Sequence, residues 1–567
     1  MKFIGLLLLL TLCVVLPAAA ADDDIVLRAM TDEMNRSLKE LHLHEHPAPY
    51  FVSYTVKETE TVEMVSSLGS EAFPRYSRYR YLVPDVRVGS YELDNSNYGP
   101  AKDQFFAYGQ CVSNEDDYGA IRRAVWRRTD EAYKSAIEHL ESKRSYLNEN
   151  KIANTMPDMT AVPPVVSLGP VHRLEYDQKK WLAKVKDLSA IFLKYPKIKT
   201  SKITFVARET TRWFVNSEGT RIRESAPQYG ILALVDCQTE DGNPLEDAAI
   251  FAWNEAAEEP SSDDLQASVN GFAKSISDAI SAPTADDYCG PVLFEGDAAA
   301  VFMGEILMPN LCGAEECVRP SSESSQMRNP LKDMLGRRIL PTFLSLTDDP
   351  RSRSFHNLPL VGGYNFDDQG VPAQKVVIAE NGLLKEFCQS RIPTRYRSTS
   401  NGHGYHDRSD TSILELSSSQ TLSHEALKQK LIELGKEEGL KQVLIIRKIH
   451  AAYDLDDYFP QSEDGATTYF PPSHSRQPNN PTVVIRVDVE TGKEEIVSGL
   501  QFRYVSLRSF RDIRAVGDDA APHFVQNGGG PAKSVITPSY LVGEVELAKL
   551  DLEHHTHPKL PSPLIDP

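Results

Sequence analysis

Glu305 stands in "PVLFEGDAAAVFMGEILMPNLCG", residues 291–313. Pro291–Phe294 is a short apolar run, a turn at 295–297 follows, and Asp297 is the expected N-cap of an alanine-led helix. A glutamate one turn into a helix behind a strand is where zinc peptidases carry their general base, given histidines beside it. A second candidate is "NGHGYHDRSD", which brings His403, His406, Asp407 and Asp410 close together in sequence. Histidines three apart with an adjacent aspartate ligate a metal if the segment turns. Other constellations carry less. His42, His44, Glu45 and His46 in "LHLHEHP" do not share one helical face and read as a surface cap, and His554, His555 and His557 fall on a tail. Asp367 and Asp368 are adjacent, so on an extended stretch they point to opposite faces and cannot flank one bond; one of them caps the turn ending at Gly370. "QNGGGPAK" lacks the strand-to-helix setting of an anion cradle, and no nucleophile elbow supports Ser-His-Asp catalysis.

The elements that must position these groups alternate in type. Ile25 to Leu41 has apolar residues at helical spacing, and two tyrosine- and valine-rich stretches after Pro49 alternate as strands. A charged helix is expected from about Tyr118 to Leu147, then a proline-bearing linker over 151–170. An amphipathic helix begins near Trp181, and a β-meander over 202–253 turns at Asn216–Gly219 and Asp241–Asn243. Further helices are expected at 262–280 and 422–440, and hairpins turn at Asn381–Gly382 and Thr491–Gly492. Antiparallel strands with interspersed helices make the chain α+β rather than doubly wound. The reading divides it into a signal peptide at 1–21, an N-terminal α+β domain at 22–150, the linker, a β-rich region at 171–552 and a disordered tail at 553–567.

At 567 residues the chain is too long for one ordinary domain, and its hydrophobic share of 41% is that of a globular protein. "MKFIGLLLLLTLCVVLPAAAADDD" has a lysine, an apolar run and a string of alanines, the layout of a secretory signal cleaved before Asp22. The run is shorter than the roughly 20 residues that span a bilayer, so a periplasmic or secreted protein is expected. Removing Lys2 with the signal takes the net charge from −19 to −20, which argues against nucleic acid and anionic membrane surfaces as partners. Six of the seven cysteines remain, at 111, 237, 289, 312, 317 and 388. Cys312 and Cys317 form the nearest local pair, among 15 ways of making three bridges.

Several pieces in a fixed order carry a family resemblance. They are "VNSEGTRIRE", "GPVLFEGDAAA", "GRRILPTFLSLTDDP", "GGYNFDDQGVPAQKVVIAENGLLKEFCQSR", "STSNGHG", "LRSFRDIRAVGDD" and "SVITPSYLVGEVEL". In this order the chain resembles the TldD/PmbA family of metallopeptidase-related proteins. The resemblance implies a two-domain α+β fold whose C-terminal part is antiparallel and β-rich. It also implies a dimer, either of this chain or with a zinc-bearing TldD-like subunit. Zinc-binding members carry His-Glu-x-x-x-His on the helix of Glu305, and a cysteine ligand nearer the C-terminus. Here the histidine places hold Gly304 and Pro309, and no cysteine follows Cys388. Glu305 is the sole remnant of the motif, and no cofactor is expected. The resemblance makes Asn401, Gly402, His403 and Gly404 a loop lining the family's central cavity. His403, His406 and Asp407 stand as the weaker metal alternative. The expectation is a non-catalytic, peptide-engaging or structural partner, the rival being a peptide hydrolase whose active site has moved to the loop histidines or Glu305.

Overall fold

The computed structural model of the protein describes residues 24–71, 73–98, 110–240, 242–313, 318, 329–450, 477–525 and 533–550. The expected signal and tail, Cys317, and all of "QNGGGPAK" but Lys533 lie outside them. No helix among the described residues is long and apolar enough to cross a membrane.

The first body opens with α1 (Ile25–Glu40), β1 (Pro49–Ser66), β2 (Phe73–Val88), β3 (Gln110–Val112) and α2 (Tyr118–Asn150). It continues through β4 (Val166–Leu168), α3 (Gln178–Ala190), β5 (Thr200–Asn216), β6 (Arg221–Gln238), β7 (Pro244–Trp253) and α4 (Ser262–Ile280). One sheet runs β3-β2-β1-β5-β6-β4, with β7 also on β6. Because β1, β5 and β6 are long, a single face has room for two helical layers. Val52, Tyr54, Val56, Trp213 and Val215 pack under α1 and α2. Farther along the same strands, Val62, Met64, Phe205 and Ala207 pack under α3 and α4.

This topology corrects the expected boundary at 151–170. Ser53 of β1 pairs with Asn216 of β5 across the supposed linker, and β4 inside that linker runs parallel to β6. Edge groups of a sheet need partners, and both segments find theirs in one sheet. The change of body falls after α4.

The second body contains β8 (Tyr288–Phe294), α5 (Gly296–Ile306), β9 (Leu344–Asp348), the hairpin β10 (Ser354–Phe355) and β11 (Leu358–Pro359), then β12 (Val376–Glu380) and β13 (Leu383–Leu384). A second small hairpin is β14 (Gly404–Tyr405) with β15 (Arg408–Ser409), followed by β16 (Ile413–Ser418), α6 (His424–Glu437) and β17 (Gln442–Ile449). The last strands are β18 (Pro481–Asp488), β19 (Glu494–Val497), β20 (Leu500–Phe502), β21 (Ile513–Val516), β22 (Ala521–Val525), β23 (Lys533–Thr537) and β24 (Tyr540–Lys549). Two sheets result: β13-β12-β9-β16-β23-β22, and β19-β18-β17-β8-β24-β20 with β21 on β24. Apart from the parallel pairs β16–β23 and β8–β17 their neighbours are antiparallel, so the chain is α+β. The apolar core lies around α5, between residues of both sheets, and α6 covers the outer face of the second.

Polar contacts join the bodies. Arg212 of β5 donates to the carbonyls of Phe366 and Asp367, and Arg391 donates to Thr160 O and pairs with Glu218. Lys57 of β1 reaches Asp368 at 3.3 Å.

Candidate functional site

Helix α5 is apolar nearly all round, because Ala298 to Gly304 are all buried. Its start corrects the expected cap. Glu295 occupies the N-cap position without a side-chain cap bond, and Gly296 takes a positive φ of 48°. Glu295 binds His424 and Arg447 instead, while Asp297 accepts from Lys448 Nζ at 3.0 Å. The helix ends at Ile306, before a 3-10 turn at Met308–Asn310, as a proline at 309 requires.

The motif positions on this helix are occupied by packing and hydrogen bonds. A Cβ placed on Gly304 would fall well inside the van der Waals radius of Val525 Cγ1. The Glu305 carboxylate accepts from Asn479 twice, from the backbone N at 2.8 Å and from Nδ2 at 2.6 Å. Glu305 is thereby tied to the start of the segment that enters β18.

The glycine-rich loop does not gather its titratable residues. Gly402 has φ +75°, and any Cβ there would strike the carbonyl of Pro372, so only glycine fits. The Asn401 side chain accepts from Gln389 N at 2.7 Å and donates to Phe387 O at 2.9 Å, and Gly404 N donates to Asp367 at 2.8 Å. His403 turns into the core and His406 turns toward Asp368, 4.0 Å away, while Asp407 is exposed. The expected set of His403, His406 and Asp407 is therefore pulled apart by the tight turn at Gly402–Gly404.

His403 joins residues that spacing could not nominate. Its Nε2 lies 3.1 Å from Asp348 Oδ1, and its Nδ1 lies 3.0 Å from Asn401 O. Asp348 Oδ2 accepts from Ser412 N at 2.9 Å. Cys388 completes a group whose donor atoms lie within 4.8 Å of one another. All three residues are buried. Burial pulls the His403 pKa down, but the hydrogen bond and charge of Asp348 outweigh it and leave it raised. Burial drives the Cys388 thiol well above its ordinary pKa. Asp348 and Cys388 lie 55 and 15 positions before His403, and no local pattern marks them.

The two aspartates of "FDDQG" are divided as their alternation predicts. Asp367 turns inward and accepts from Gln369 N and Val371 N, which closes the turn at Gly370, and burial raises its pKa to about 6. Asp368 faces the first body. Burial raises it, yet Lys57, His406 and Arg212 together hold it below the usual carboxylate range. His42 and His44 are exposed, and His46 pairs with Glu141 at 3.1 Å. Among the described residues they form no ligand group.

Residues 287–451, which contain β8, α5, Asp348, Cys388 and the glycine-rich loop, match the PmbA/TldA metallopeptidase C-terminal domain. Through this domain the chain is related to the TldD/PmbA family. It is 36% identical over 91 residues to the metalloprotease MJ0996 of Methanocaldococcus jannaschii, covering 15% of this chain and 19% of that protein. It is 30% identical over 73 residues to the metalloprotease TldD homolog of Buchnera aphidicola, covering 12% and 14%. The matched stretch thus spans less than a fifth of either relative. The fold extends much further. TldE from Thermococcus kodakarensis superposes with a TM-score of 0.55 at 14% identity, over 92% of this chain and 100% of that one.

Three protein ligands with free lone pairs are needed for a catalytic zinc. At the motif's places this chain has a glycine packed against Val525, a glutamate bound by Asn479 and a proline in a 3-10 turn. That donor set does not fit the metal.

Proposed function

We propose that this TldD/PmbA-family protein is exported and acts as a non-catalytic, peptide-engaging or structural partner in peptide processing. It works as a dimer, of itself or with a zinc-bearing TldD-like subunit. The observation that carries this reading is the packing of Val525 against Gly304, which closes the space a ligand side chain would need. The two Asn479 hydrogen bonds to Glu305 support it, because a general base must be free to reach water. The absence of any cysteine after Cys388 supports it as well. For peptide engagement, a cavity of about 670 Å³ at the edge of the second body's sheet is lined by Asp287, Phe502, Arg503, Tyr504, Glu546 and Lys549. It is an open depression that combines aromatic surface with both charges.

The test is a peptidase assay on the purified mature chain, alone and mixed with a zinc-bearing family metalloprotease. The expected result is no hydrolysis by the chain alone, co-elution with itself or with the zinc subunit, and altered peptide turnover by the mixture. Glu305→Gln should behave as the unmodified chain in every arm. Hydrolysis by the isolated chain that disappears in Glu305→Gln would overturn the reading in favour of a relocated active site.

A further inference from the structure

The enclosed group of Asp348, Cys388 and His403 is not used by the function proposed above. It has the composition and orientation of a metal site. The three residues come from separate places: Asp348 ends β9, Cys388 follows β13, and His403 lies in the loop before β14. Cys388 is held by its backbone, with its N–H donated to Leu311 O and its carbonyl accepting from Gly313 N.

The outer partners already orient the donors. A backbone carbonyl only accepts, so the contact between His403 Nδ1 and Asn401 O places a proton on Nδ1. Nε2 is then the atom aimed at Asp348. Metal-bound histidines typically donate their other ring N–H to a carbonyl in this way. On the aspartate, Ser412 N takes Oδ2 and leaves Oδ1 facing the imidazole. Spacing agrees too. Donors at zinc bond lengths of 2.0–2.3 Å stand about 3.3–3.8 Å apart in a tetrahedron. The observed O–N separation is 3.1 Å, and all three donors lie within 4.8 Å of each other.

We propose that Asp348, Cys388 and His403 bind one zinc-class divalent cation at a buried site, with a water taking the fourth position of the tetrahedron. A thiolate and an imidazole select soft or borderline metals over calcium or magnesium. Charge and protons balance. Without metal, the proton between Nε2 and Oδ1 and the thiol proton occupy the site. The cation replaces both, two protons leave, and one thiolate and one carboxylate neutralise the 2+ charge. Among the groups that face the site, the ion pair Lys533–Asp410, at 2.5 Å, brings no net charge. With no opening to solvent at the three residues, the cation enters as the chain folds, and its binding adds directly to folding stability. It would bind β9, the segment after β13 and the glycine-rich loop into one unit.

The experiment is cobalt substitution in the full mature chain, refolded with Co²⁺ as the probe and then challenged with Zn²⁺. The expected result is one cobalt per chain with a thiolate-to-cobalt charge-transfer band and tetrahedral visible bands, both abolished by zinc. Cys388→Ser should remove the charge-transfer band. Asp348→Asn and His403→Asn should weaken affinity by more than the 10–100-fold typical of losing an outer-shell partner. Should Cys388→Ser fail to fold, X-ray absorption on the unmodified chain reads the same point, with one sulfur among nitrogen and oxygen neighbours expected. Cobalt bound without a sulfur signature means adsorption to the exposed His42 and His44, and overturns the proposal. So does a chain that takes up no cobalt, or one whose Cys312 and Cys388, partners in a β-bridge, are isolated as a disulfide. None of these readouts involves peptide hydrolysis, so the result stands apart from the fate of the proposed function.

Discussion

Lys57 and Asp368, 311 positions apart in the chain, meet at 3.3 Å and join the first body's sheet to the turn that precedes the second body's hairpin. Both are mostly enclosed, and Arg212 shares the same carboxylate at 3.4 Å. Asp368→Asn leaves two cations facing a neutral side chain. A loss of about 3 kcal/mol is expected, at the low end for breaking a buried pair. The sign with pH follows from the direction of the shift. The folded carboxyl is depressed, so its stabilisation is present above the unfolded value near 3.9 and lost as pH falls below it. Denaturant titrations should show the wild-type advantage in full at pH 6–7 and shrinking below about pH 4.

Glu209 gives the opposite sign. It lies between the two helical layers of the first body, with a buried Oε1 that has no hydrogen-bond partner among the described residues. Burial, with Glu255, Glu60 and Glu175 nearby, raises its pKa from 4.5 to about 7. The folded protein therefore holds the proton more tightly than the unfolded chain, and stability drops as pH rises from 4.5 through 7. Glu209→Gln should match the wild type near pH 4 and exceed it by about 1–3 kcal/mol at pH 8. Melting temperatures across that range decide it, and a difference that does not change with pH would count against the assignment.

At Gly304, alanine forces Val525 to move. The helix gains some propensity, yet overpacking at a buried site costs about 1–3 kcal/mol and should dominate. Shortening the partner relieves the clash. Gly304→Ala with Val525→Ala should thus lose less than the sum of the two single changes, by about 0.5–3 kcal/mol of coupling. Strict additivity in a double-mutant cycle would show that Val525 does not fill this space.

Asp24 lies just past the expected cleavage site. Its Oδ1 caps α1 by accepting from Leu27 N at 2.8 Å, and its Oδ2 accepts from Trp213 Nε1 at 2.8 Å and Arg223 at 2.6 Å. Cleavage before Asp22 preserves this clamp, and the mass of the exported protein should begin there. Asp24→Ala removes a helix cap worth about 1 kcal/mol. It also strands two buried donors at about 1–3 kcal/mol, so a total loss of about 2–4 kcal/mol is expected in equilibrium unfolding.

The features legible in the residues alone are local, or written in the order of the segments. The helix at 262–280 follows from apolar residues three and four apart, and its observed bounds are the expected ones. Asn381–Gly382 announces a hairpin turn because both residues take positive φ, 49° and 78°, where asparagine and glycine are at home. The motif order pointed to the family whose C-terminal domain residues 287–451 match. Everything that depends on partners distant in sequence came from the folded arrangement. Alternation says that β1 is a strand but not that Ser53 pairs with Asn216, so the sheet that runs through the expected linker could not be read from either side of it. The histidines of the glycine-rich loop looked equivalent as text. One tight turn sent His403 into the core beside Asp348 and Cys388 and left His406 facing Asp368, because backbone geometry at Gly402 sets side-chain direction before chemistry does.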